Sequence, residues 1–257
     1  MGERQVRSII ASRRRFLTST ALAGLGATAV TGCSRERSTT GNSVVHGQHG
    51  ITEDTSGLTP DQALSRLTDG NARFVAMDEV DPNVSTARLM AISNGQRPFV
   101  GVLGCVDSRV PPELVFDRGL GDLFDTRIAG AIADDAAIGS LEFGVEEFGV
   151  PLVVVMGHSK CGAVTAAVKS LESAGAAPPG RIGAVVDPII PAVKATRAQG
   201  ITDGVELINE AARKVVRNGV NALRASPVLA GALAAGKLAV VGAFYDLDTG
   251  KVEFLND

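Results

Sequence analysis

The stretch Pro151-Leu152-Val153-Val154-Val155-Met156-Gly157-His158-Ser159-Lys160-Cys161-Gly162-Ala163 decides how the rest of the chain reads. Its first half is a short, unbroken, β-branched apolar run, as expected of a strand buried on both faces of a parallel sheet. The residues that follow, 163–171, suit a helix. His158 and Cys161 therefore fall at the carboxyl end of a strand, in the turn before a helix. Open α/β sheets bind their ligands along that edge.

One imidazole and one thiolate from a single turn suit Zn²⁺, but two ligands leave a site incomplete. Taken alone, the pair fits equally a buried thiol beside a satisfied histidine. Cys105 supplies the missing partner. It ends a second apolar run, Pro98-Phe99-Val100-Gly101-Val102-Leu103-Gly104, at the equivalent edge. Two neighbouring strand ends would bring Cys105, His158 and Cys161 together as three protein ligands with a fourth position open. Structural zinc sites are closed by four protein ligands, whereas three plus water is the catalytic arrangement.

Around these ligands the sequence reads Cys105-Val106-Asp107-Ser108-Arg109 and Gly157-His158-Ser159-Lys160-Cys161-Gly162. Together the two motifs resemble those of the β-class carbonic anhydrases. Gly121-Asp122-Leu123-Phe124-Asp125-Thr126-Arg127-Ile128-Ala129-Gly130 and Ser140-Leu141-Glu142-Phe143 fit the family as well. So does Gly242-Ala243-Phe244-Tyr245-Asp246 with Thr249-Gly250, so that the resemblance spans residues 60–255.

The resemblance implies zinc as cofactor and reversible hydration of carbon dioxide to bicarbonate and a proton by a hydroxide that the metal makes available near neutral pH. It implies that Arg109 holds Asp107 by a forked hydrogen bond and that Asp107 aims the lone pair of that hydroxide. In the family's inactive closed state this aspartate is instead the fourth zinc ligand and the arginine is released. Gly162 opens a helix, and its N–H suits a bicarbonate oxygen; the alternative is a glycine kept for tight packing. Ser108 supports the loop, Lys160 faces either the thiolates or solvent, and Arg127 is expected to pair with a carboxylate behind the site. The family forms dimers in which each active-site cleft borrows apolar residues from the neighbour, so a dimer or tetramer is expected, and its N-terminal helix packs on a partner subunit. The chain departs from the family in three places. Gly119 stands where plant-type members carry a glutamine that reaches substrate across the dimer. Ala131 stands where many members have Asn. The absence of Trp removes the side chain used by the bicarbonate regulatory site of some bacterial members.

The 257 residues suffice for one good-sized α/β domain, and 45% apolar content provides for a large core. Without residues 1–32, which hold five Arg and one Glu, the chain keeps 20 basic and 27 acidic residues, a net −7. An acidic body argues against nucleic acid as a partner. Residues 1–32 read as a targeting segment: Ser12-Arg13-Arg14-Arg15-Phe16-Leu17 has the twin-arginine pattern, followed by a weakly apolar stretch too short for a membrane span. Val30-Thr31-Gly32-Cys33 resembles a bacterial lipobox, which would make Cys33 a lipidated N-terminus anchored to the outer face of the cytoplasmic membrane or cell envelope. A surface thiol in a linker is the alternative. With Cys33 lipidated and Cys105 and Cys161 on metal, none of the three cysteines is left for a structural disulfide. Residues 33–58 read as a flexible tether; its His46 and His49 are linker histidines, a second metal site or a proton relay.

Residues 59–257 read as the catalytic domain. Thr59-Pro60 opens a helix with an apolar stripe of Ala63, Leu64, Leu67, Phe74 and Val75, and Gly70-Asn71 as its weak point. Helices are also expected over 85–94, 111–116, 134–148, 161–173, 182–199 and 204–224. Strands are expected over 98–104, 123–128, 152–156 and 238–244, with a short edge strand over 252–255. The alternation predicts an α/β fold: a mostly parallel four-stranded sheet with an added edge strand, flanked by helices. Two rival functions remain at this stage. One is carbon disulfide hydrolysis on the same fold; the other is a non-catalytic zinc-binding or redox-sensing lipoprotein.

Overall fold

The computed structural model describes residues 54–173 and 178–255. Cys33, His46, His49 and the targeting segment lie outside the described residues. The elements run α1 (Pro60–Ala76), α2 (Thr86–Ala91), β1 (Val100–Gly104), α3 (Pro112–Val115), β2 (Leu123–Arg127), α4 (Asp135–Phe148), β3 (Leu152–His158) and α5 (Gly162–Glu172). They continue with α6 (Gly183–Val186), α7 (Ile190–Arg197), α8 (Gly204–Arg224), α9 (Ala230–Ala234), β4 (Ala239–Tyr245) and β5 (Val252–Leu255).

The five strands form one sheet in the order β2-β1-β3-β4-β5, with β5 antiparallel and the other pairs parallel. This is the expected parallel four-stranded sheet with its added edge strand. Every residue of β1 and β3 is buried, which is what their uninterrupted apolar runs require. Helices cover both faces. One face packs β1 and β3 against α4 and α8 through Leu103, Leu141, Val153, Val155, Val216 and Val220. The other packs α1 and α3 through Leu67, Val115, Phe116, Val102, Val154 and Met156.

Strand β3 runs two residues further than the apolar run alone indicates, so His158 is its last residue, paired with Tyr245. A neighbouring strand continues the ladder there irrespective of side-chain polarity. The helix expected over 182–199 is broken into α6, a 3₁₀ turn at Asp187–Ile189 and α7. Pro188 and Pro191 lack the N–H that a continuous ladder needs. The helix expected over 85–94 shortens to α2, capped by Ser85, and α9 is an additional short helix.

Helix α1 packs on its own sheet through Ala63 and Leu67, both fully buried, and corrects one expectation. Gly70-Asn71, read as a weak point, is where the helix docks. A Cβ on Gly70 would lie 1.8 Å from the Phe116 carbonyl oxygen, so only glycine permits this approach. Asn71 donates to the carbonyls of Val115 (3.1 Å) and Gly250 (2.9 Å) and accepts from the Val252 N–H (2.8 Å). Thr59 and Gln62 form a reciprocal capping box at the helix start. Among the described residues no helix is long and apolar enough to cross a membrane.

Candidate metal centre

β1 and β3 are adjacent and parallel, so their carboxyl ends open side by side. Cys105 follows β1, His158 ends β3 and Cys161 caps α5. The ligand atoms of the three lie within 4.8 Å of one another, all buried. They are the group among the described residues able to hold a metal ion. Both cysteines are free thiols.

The chemistry of this set fits zinc. His158 is fully buried, and its Nδ1–H donates to the Ser159 carbonyl at 2.9 Å. A carbonyl only accepts, so the proton sits on Nδ1 and Nε2 presents a bare lone pair. That Nε2 is buried without a hydrogen-bond partner. An orphaned acceptor beside two thiols is costly unless something electron-poor occupies the space between them. One of the two thiols already leans toward the thiolate that binds metal. Cys105 is held well below the usual thiol range, first by the hydrogen bond from the Cys161 thiol, then by His158 and the Gly130 N–H (3.3 Å). Cys161, as the donor in that bond and buried, is pushed up. Burial alone would pull His158 down, but the charge of the neighbouring Cys105 thiolate, the bond to the Ser159 carbonyl and the Asp107 carboxylate outweigh it, so the net shift is up.

Asp107 stands at the rim of this cluster. Its Oδ1 accepts from Arg109 Nε (2.9 Å) and from the Arg109 backbone N–H (3.0 Å), and its Oδ2 from Arg109 Nη2 (2.8 Å). Oδ2 also lies 3.9 Å from His158 Nε2. The Arg109 hydrogen bonds hold the Asp107 carboxyl well below the usual carboxylate range. Both its oxygens are therefore engaged by Arg109 in this structure.

Arg127 takes a different part from the one expected. Rather than pairing with a carboxylate, it donates from Nε to the Cys105 carbonyl (2.9 Å) and from Nη2 to the Asp107 carbonyl (2.6 Å). It fastens the backbone of the loop that carries both residues, and the spacing of Cys105 to Arg127 gave no signal of this. Lys160 faces neither thiolate; its Nζ pairs with Asp248 at 2.5 Å. Gly162 is exposed, and no atom lies within 4 Å of where its Cβ would be, so packing does not require glycine there.

One of the family departures acquires a physical reason, and another runs against the backbone's preference. A Cβ at Gly119 would lie 2.1 Å from the Pro82 carbonyl oxygen, so this chain has no room for a side chain at that place. Ala131 is fully buried with φ +53°, a left-handed conformation that Asn tolerates better than Ala. Gly130 before it has φ +78°, and a Cβ there would approach Ile189 to 2.7 Å. The pair of left-handed residues turns the chain sharply enough to aim the Gly130 N–H at Cys105.

The family model described as carbonic anhydrase matches residues 100–252. The carbonic anhydrase of Mycolicibacterium smegmatis is 40% identical over 195 residues, covering 76% of this chain and 92% of that protein. Carbonic anhydrase 2 of Mycobacterium tuberculosis is 39% identical over 193 residues, covering 75% of this chain and 91% of that one. A tetrameric β-carbonic anhydrase of the ascomycete Sordaria macrospora superposes with a TM-score of 0.60 at 26% identity, covering 66% of this chain and 86% of that chain. With the fold, the paired strand-end motifs and these similarities in agreement, the chain belongs to the β-class carbonic anhydrases.

Proposed function

We propose that this chain interconverts carbon dioxide and bicarbonate with zinc held by Cys105, His158 and Cys161. The observation that carries the reading is the bare, buried and partnerless Nε2 of His158 facing two thiols. Zinc supplies Lewis acidity and makes hydroxide available near neutral pH.

The chain's own residues then do the steering. Asp107, ionised by its pairing with Arg109, is acceptor-only, so an O–H beside it must point its hydrogen at the carboxylate and its lone pair elsewhere. Arg109 keeps that carboxylate off the ligand cluster; its release would free Asp107 to become a fourth ligand, the closed and inactive arrangement. Arg127 holds the backbone on which both ligand and carboxylate sit. The Gly162 N–H, at the start of α5, suits an anionic product.

The assembly is a dimer or tetramer of this chain. Val106, Leu114, Leu120 and Phe143 are exposed large apolar side chains, and assembly is the usual way such side chains are covered. The location is the outer face of the cytoplasmic membrane or envelope, reached by the twin-arginine route and held by lipid on Cys33. Cys33→Ser would then move the protein from the membrane to the soluble fraction.

Stopped-flow hydration of carbon dioxide, run with metal analysis on the full chain, tests the function. One zinc per chain and turnover that falls in Asp107→Ala are expected. A zinc-loaded protein without turnover would leave a binding lipoprotein instead, and turnover of carbon disulfide alone would move the reading to that substrate.

A further inference from the structure

We propose that Asn209, on α8, is a positioning residue for the metal centre, acting through the backbone of Lys160. The inference rests on the zinc reading above and goes beyond its ligands. Lys160 lies between His158 and Cys161 with φ +56°, a left-handed conformation that a residue with a side chain holds only when its surroundings enforce it. Its backbone N–H donates to Asn209 Oδ1 at 2.8 Å, across 49 positions of sequence.

The rest of the ligand turn is tied to β4 and the residues after it. The Ser159 N–H donates to the Tyr245 carbonyl (2.9 Å), the Leu247 N–H donates to Ser159 Oγ (2.9 Å), and Lys160 Nζ pairs with Asp248. Those bonds fix Ser159 and the Lys160 side chain. The peptide plane between Ser159 and Lys160 is held at its carbonyl by His158 Nδ1 and at its N–H by Asn209. Were it to turn, Lys160 would relax toward right-handed φ, and the separation between His158 Nε2 and Cys161 Sγ would change. Asn is also a poor residue for a helix interior, where its side chain competes for the backbone. Here that side chain is committed to the metal loop instead.

The test is zinc release from the loaded full-length protein to excess chromophoric chelator, followed by absorbance beside the thermal midpoint of each variant. Asn209→Ala should release zinc about ten- to a hundredfold faster than the parent, the usual cost of losing an outer-shell partner. Its thermal midpoint should hold or rise, because Ala suits a helix better than Asn. Asn209→Asp keeps the acceptor oxygen and should stay within about threefold of the parent. Lys160→Gly, which adopts positive φ freely, should suppress the Asn209→Ala effect when the two are combined. Release from Asn209→Ala at the parental rate would overturn the proposal. Equal acceleration by Ala and Asp would overturn it too, since the acceptor would then be irrelevant. A parent that holds no zinc would instead overturn the proposed function, and this inference with it.

Discussion

The two loops that supply the ligands are held in opposite ways. The Cys105 loop is fastened by guanidinium groups: Arg127 on two of its carbonyls and Arg109 on the Asp107 carboxylate. The His158–Cys161 turn is fastened mainly by neutral bonds, from Ser159 to Tyr245 and Leu247 and from Lys160 to Asn209, with one exposed ion pair to Asp248. Charge-assisted bonds are about twice as strong as neutral ones. The stronger set lies where a charged side chain, Asp107, stands at the rim of the cluster. The turn that only presents a neutral imidazole and a thiolate needs shape more than charge.

Losing a ligand erases the contrast, and so has the largest effect. Cys161→Ser or His158→Ala should leave almost no zinc on purified protein and lower hydration on the order of a thousandfold or more, the loss of a Lewis acid worth several kcal/mol. Metal analysis beside stopped-flow rates reads both. Full zinc retention in either variant would mean that other side chains hold the ion.

Next comes the direct comparison of the two fastenings. Arg127→Ala strips the donor from two carbonyls and should lower kcat/KM by about ten- to a hundredfold. Ser159→Ala removes one neutral bond, to the half-buried Leu247 N–H, which water can replace; about threefold is expected. Should Ser159→Ala prove the costlier, the order of the two loops is reversed.

Arg109 sharpens the electrostatic half of the comparison through pH. Asp107 has its pKa depressed in the folded chain, so the pairing contributes stability above about pH 4 and loses it as acidification passes the lower, folded-state value. Arg109→Ala returns Asp107 toward about pH 4, still ionised at neutrality. Its hydration profile between neutral and alkaline pH should therefore keep its shape while the plateau drops about tenfold, as for one charged hydrogen bond. An acid limb that moves up toward neutrality would show that Asp107 titrates in the working range.

The last comparison is of stability alone, between two glycines, and one of them has the smallest effect of all. Gly162→Ala keeps its N–H and meets nothing, so stability should stay within about 0.5 kcal/mol. Gly130→Ala must hold φ +78° and meets Ile189, and should cost about 1–3 kcal/mol in denaturant unfolding. Similar losses for both would remove the distinction between an open position beside the site and a packed one behind it.

The sequence alone determined the sheet and the three side chains that meet at its edge. Uninterrupted runs such as 98–104 and 152–156 admit few environments other than a doubly covered parallel strand, and thiol and imidazole at the ends of such runs admit few roles. Asp107 and Arg109 were legible too, two and four positions after Cys105, because a local pair needs only local spacing. What Arg127, Asn209, Gly70 and Asn71 do was decided by the tertiary structure. Each acts on a backbone group far along the chain, and a carbonyl or an N–H leaves no mark on the sequence of the residue that carries it. The docking of α1 on Phe116 and the left-handed turn at Lys160 become visible only once the chain has closed on itself, since each is a distance between segments rather than a property of either.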